Sequence, residues 1–171
     1  MVHPLVAQLH FTRSEWERAL ADVPDEDGLR RLMPINSIGW IVGHLAWQEQ
    51  RYWLMGAQGT IVVPELNELV GYGRPASTPP ADEMWAAWQT VTRAADPYLD
   101  ALTIETLQGR ILVNGQPDSE TIGTRLQRVI YHYWYHIGEG LAIRQLLGHA
   151  DLPEFVGDIQ ARGPYRPESA G

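Results

Sequence analysis

"SETIGTRLQRVIYHYWYHIGEGLAIRQLLG", residues 119–148, reads as one long helix running from Ser119 to about Leu147 and closed by Gly148. In its middle, "YHYWYHIGEG" (131–140) places two histidines four apart among aromatics and follows them with a glutamate. Successive residues of a helix advance about 100°, so His132 and His136 project about 40° apart, and Glu139 returns to within about 20° of His132. A polar stripe therefore runs along an otherwise apolar helix. A buried polar group without a partner costs a few kcal/mol, so that stripe needs something to satisfy it.

A second segment carries the same pattern. From "PINSIGW", where Asn36 or Ser37 can cap, a helix runs through "IVGHLAWQEQRYWLMG" to Gly56, with His44, Gln48 and Arg51 on one stripe. Before it, Leu5, Leu9, Trp16, Leu20 and Val23 keep a helical period that Pro24 and Gly28 end. After it, Ala57 to Pro80 forms a long connection punctuated by proline and glycine, the kind of loop that often covers a site. A third helix opens after Thr78-Pro79-Pro80, carries Met84, Trp88, Val91, Ala95 and Leu102, and is expected to kink or split at Pro97. "GRILVNGQPDSE" (109–120) suggests a small hairpin about an Asn-Gly turn. Four amphipathic helices with almost no strand signal predict an all-α four-helix bundle with a long loop between its second and third helices. The length predicts a single domain over 1–171, with a core to about 156 and a Pro/Gly-rich tail at 157–171.

Composition narrows the function. A net charge of −8 without any basic run gives no footprint for nucleic acid or an anionic membrane. Cysteine is absent, which removes disulfides, thiolate nucleophiles and Cys-type zinc sites, so any metal must sit on histidine and carboxylate. Lysine is absent too, which removes a P-loop lysine and Schiff-base chemistry. The start of the chain lacks the features of a secretory signal, and "IGWIVGHLAW" is about half a membrane span. A cytoplasmic protein is expected. His-Tyr-Trp-Tyr-His lacks the glutamate of an HExxH protease, and no Glu-x-x-His of a di-iron bundle occurs. "GYGRPA" mimics a dinucleotide fingerprint but lies in the proline-rich loop and reads as a turn.

If the second and fourth helices run parallel, His44 lies level with His132 and His136, and Arg51 with Glu139. Three imidazoles on one ion would then leave a position open for water or substrate, with an Arg51–Glu139 ion pair beside them. His3, His10 and His149 have no such pattern: the first two are placed in the first helix, and His149 follows the last turn as a surface residue. No catalytic acid, base or nucleophile is singled out by spacing. Whether Tyr131, Tyr133 or Tyr135 reaches the site stays open.

The segments "SIGWIVGHLAWQEQRYW" (37–53) and "LQRVIYHYWYHIGEGLAIRQLLGH" (126–149) resemble the two signature helices of the DinB-like superfamily of four-helix bundles. That superfamily includes mycothiol- and bacillithiol-dependent S-transferases and the mycothiol-dependent maleylpyruvate isomerase. The resemblance implies a divalent metal, zinc or nickel, on His44, His132 and His136. It also implies a low-molecular-weight thiol as cosubstrate, a small-molecule substrate, and a homodimer. Such chemistry needs no protein cysteine, since the metal activates the sulfur of the small thiol. The sequence departs from the commoner family pattern in having "HIGE" (136–139) in place of HxGQ. Glu139 is then a fourth ligand, a general base, or the partner of Arg51, the last being preferred. Gln48, Arg51 and Glu139 are the expected surroundings of the metal. Metal-assisted hydrolysis and a non-catalytic metal-binding or interaction bundle are the competing readings.

Overall fold

The computed structural model describes residues 2–113, 115–154 and 156–167. Four long helices form the bundle: α1 (Pro4–Leu20), α3 (Ile38–Glu49), α5 (Ala81–Asp100) and α7 (Ile122–Leu146). Short helices decorate the connections: α2 (Asp25–Leu29), α4 (Leu66–Val70), α6 (Ile104–Gln108) and α8 (Ile159–Arg162). A two-residue antiparallel pair, β1 (Leu112–Val113) and β2 (Gln116–Pro117), makes the expected hairpin; Asn114 of its turn lies outside the described residues. The chain is all-α apart from that hairpin.

Three of the four long helices start on a side-chain cap. The His3 Nδ1 accepts from the Leu5 amide ahead of Pro4, the Ser37 hydroxyl from Trp40, and the Thr121 hydroxyl from Thr124. Ser37, rather than Asn36, is the cap of α3. At the far end of α7, Gly148 adopts φ +87°, with the His149 amide donating to the Arg144 carbonyl and the Gly148 amide to Gln145. That is the left-handed termination a glycine permits at least cost.

Three expectations need correction. The second helix is α-helical only to Glu49; Gln50–Gly56 continues it as a π-helical segment, whose wider turn changes which residues face the bundle. The third helix does not split at Pro97 but continues one turn beyond it to Asp100, and Leu102 is buried outside it. His3 precedes α1 as its cap rather than lying within it.

The core is apolar and aromatic. Trp16, Trp53 and Tyr133 are fully buried together with Leu9, Leu45 and Leu126. Across it runs a polar thread. Arg13 (α1) donates to both oxygens of Glu49 (α3), at 2.7 and 2.5 Å, and to Asp96 (α5) at 2.6 Å. The Tyr133 hydroxyl (α7) donates to Glu49 at 2.7 Å and accepts from the Trp88 indole (α5) at 2.6 Å. Glu49 has no exposed surface, yet its carboxylate is surrounded by donors. Among the described residues, no helix is long and apolar enough to cross a membrane.

Candidate metal centre

α3 and α7 pack so that His44, His132 and His136 meet. Their ring centroids lie 5.2 Å (His44 to His132), 5.7 Å (His44 to His136) and 4.5 Å (His132 to His136) apart. One nitrogen from each ring lies within 4.8 Å of the others, a group that could hold a metal ion. The Nε2 atoms of His132 and His136 are 3.0 Å apart. Two nitrogens bound tetrahedrally to one ion, at bonds of about 2.0–2.1 Å, lie about 3.3 Å apart, so this pair already has nearly the required spacing.

The surroundings set the tautomer of two of the rings. The His44 Nδ1 lies 2.8 Å from the carbonyl of Val70, and the His136 Nδ1 lies 2.7 Å from a carboxylate oxygen of Glu139. Both partners are acceptors, so each Nδ1 carries the proton and donates it. Each Nε2 keeps its lone pair. This is the arrangement by which proteins orient ligating histidines. The Nδ1 of His132 is buried without a partner, and its Nε2 faces the His136 Nε2 lone pair at 3.0 Å, so without a metal His132 carries its proton on Nε2.

Burial acts in the same direction. Desolvation, then the Val70 contact working against it and the charge of His136 working with it, leaves the His44 pKa lowered to about 4. His132 is lowered to about 3 by desolvation, then by His136, His44 and Arg128. Both rings are neutral at pH 7, which is the form that binds metal. His44 is also gripped by aromatics: Trp40 stacks on it at 4.5 Å and Trp47 at 5.2 Å.

The expected Arg51–Glu139 pair does not form, because α3 and α7 run antiparallel. Moving from His44 to Tyr52 along α3 leads past His132 to Arg125, whose guanidinium lies 4.3 Å over the Tyr52 ring. Arg51 is thus carried away from Glu139, which serves His136 instead. Beside the histidines opens a cavity of about 690 Å³, with His44, Gln48 and Arg51 on one side and Thr124, Arg128 and His132 on the other. Gln48 and Arg51 line this cavity. A larger hollow of about 920 Å³ adjoins it at Thr124 and Gln127, but none of the three histidines lines it.

Of the three tyrosines, Tyr131 lines the cavity, Tyr133 is committed to Glu49, and Tyr135 is exposed with its ring against His136 at 5.0 Å. Val70 and Tyr72 reach the site from the long 57–80 loop. Nothing in the spacing of α3 or α7 marks them. The Gln50 side chain binds that loop through the Val62 and Val63 amides and the Val63 carbonyl, at 2.8 to 3.0 Å. Of the histidines set aside earlier, His10 pairs with Asp100 at 2.8 Å, and His149 with Asp27 at 3.0 Å and Arg144 at 3.2 Å.

Comparison with known families adds an independent finding. The model of the DinB superfamily matches residues 8–139, well over half of the chain, and includes His44, His132 and His136. No curated protein matches the sequence.

Proposed function

The chain belongs to the DinB superfamily, and from that premise we propose that it is a metal-dependent enzyme of small molecules, with thiol S-transfer as its chemistry. His44, His132 and His136 would hold the divalent ion, zinc or nickel. The observation that carries this reading is the pair of acceptors behind the imidazoles: Val70 and Glu139 each accept a hydrogen bond from an Nδ1–H, which leaves the Nε2 lone pair facing the site. The neutral state of His44 and His132 at pH 7 supports it. So does the cavity of about 690 Å³, which is sized for a small metabolite.

A divalent ion on these residues would supply a Lewis acid that lowers the pKa of a bound thiol, making thiolate available at neutral pH. The chain's own groups do the rest. Trp40 and Trp47 stack on His44, and Glu139 orients His136. Gln48, buried against the cavity, offers an amide to hold the thiol or its electrophile.

The test is metal content measured on untagged protein purified without chelators, beside a folded variant carrying His44→Ala, His132→Ala and His136→Ala. About one equivalent of zinc or nickel in the first and none in the second is expected. Loss of a low-molecular-weight thiol in the presence of a bimane electrophile, dependent on that metal, would then identify S-transfer. Native protein that neither contains nor takes up zinc or nickel would overturn the proposal.

A further inference from the structure

Three guanidinium groups crowd the end of the cavity that lies away from Glu139. Arg125 is answered by Asp118 and by the Tyr52 ring. Arg128 is answered by both oxygens of Glu120. The Arg51 guanidinium lies over aromatic rings, its Cζ 5.4 Å from the Trp47 ring and 5.8 Å from that of Tyr52. Among the described residues, no carboxylate lies within ion-pair distance of Arg51. In a chain with a net charge of −8, the cavity wall carries two arginines and no acid. Burial lowers the pKa of Arg125, Tyr52 works against it, and the charges of Arg51 and Arg128 add to it.

A solvated arginine lying on two aromatic rings is unremarkable by itself. A second group in the same cavity is harder to explain as structure. Gln48 is only 7% exposed, and its Oε1 is buried without a hydrogen-bond partner. It lies on the stripe between His44 and Arg51, lining the cavity. A buried amide oxygen left unpaired is costly, and a ligand bringing a donor would recover that cost. The wall thus offers, in order along α3, an imidazole, an amide in want of a donor, and a free guanidinium over aromatic faces.

We infer that the substrate of this site is a small organic carboxylate: its carboxylate is received by Arg51, its apolar body lies on Trp47 and Tyr52, and its reacting end faces His44 and His132. One unpaired guanidinium matches the single charge of a carboxylate and its bidentate geometry, whereas Arg128 is already engaged by Glu120. Roughly two helical turns, about 10 Å of axis, separate His44 from Arg51, a span that a metabolite-sized acid and the arginine side chain bridge together. The inference rests on the metal-site reading for the reacting end only; the carboxylate end is independent of the metal.

The test uses benzoate and its uncharged counterpart benzyl alcohol, titrated into zinc-loaded and chelator-treated protein and followed by calorimetry. Chelator-treated protein removes direct ligation of the carboxylate by metal. Benzoate is expected to bind about ten-fold tighter than the alcohol in both forms. Arg51→Gln should abolish that preference without changing zinc content, and Arg51→Lys should restore part of it. Benzoate that does not saturate, or binds no tighter than the alcohol, or binds equally well to Arg51→Gln, overturns the inference. Failure of the metal reading looks different: the protein would take up no zinc yet keep the preference for benzoate.

Discussion

His44 owes its position to contacts on every side, with Trp40 and Trp47 on its two faces and the Val70 carbonyl at its Nδ1. His136 owes its position to Glu139 alone at that atom. Glu139→Gln keeps an acceptor but loses the charge, so zinc affinity should fall by about ten-fold, and Glu139→Ala by up to about a hundred-fold. Competition against a chromogenic chelator measures both. A pH dependence follows from the lowered pKa values of His44, about 4, and His132, about 3. In the unfolded chain both titrate near 6.5, so from about pH 6.5 down to about 4 for His44 and about 3 for His132 the unfolded state binds more protons than the folded one. Their contribution to stability is complete above pH 6.5 and is lost as the pH falls through that window. Melting temperatures of metal-free protein should drop from pH 7 to pH 4.5, and less steeply in His44→Gln.

At the scale of the element, α3 is built to come close to its neighbours. A Cβ on Gly39 would lie 2.3 Å from the Pro79 carbonyl, and one on Gly43 would lie 2.5 Å from the Met84 sulfur. The first contact is with backbone, which cannot rotate away, so Gly39→Ala should cost about 1–3 kcal/mol despite alanine's better helix propensity. Urea unfolding at constant slope would show it. The Met84 side chain can move, so Gly43→Ala should cost less. The π-helical continuation of α3 presents Gln50 to the 57–80 loop, where it satisfies three backbone groups. Gln50→Ala leaves those groups unpaired, and amide hydrogen exchange should accelerate at Val62 and Val63 while α7 stays protected.

At the scale of the molecule, Arg13, Glu49, Asp96, Tyr133 and Trp88 tie all four long helices through one buried network. Arg13→Met strands the fully buried Glu49 and should destabilise the fold by about 3–5 kcal/mol, most of it recovered when Glu49→Leu is added. Guanidinium melts of the single and double variants decide this. None of the network was legible in the sequence, where Glu49 looks like one more polar residue in "WQEQR" (47–51). The His3 and Thr121 caps were not legible either, whereas the long helices, the cap of α3 at Asn36 or Ser37 and the glycine stop of α7 were, and so was the shared stripe of His132, His136 and Glu139. These features depend on residues within one or two turns of each other, so the sequence by itself determined them. Only the tertiary structure decided that α3 and α7 run antiparallel, which gives Glu139 to His136 and turns Arg51 toward an open cavity. It also decided that Val70, from a loop twenty-six residues beyond His44, orients that ring. The direction in which one helix passes another, and the path of a loop across them, are set by how whole faces pack, and the period of a single helix carries no record of either.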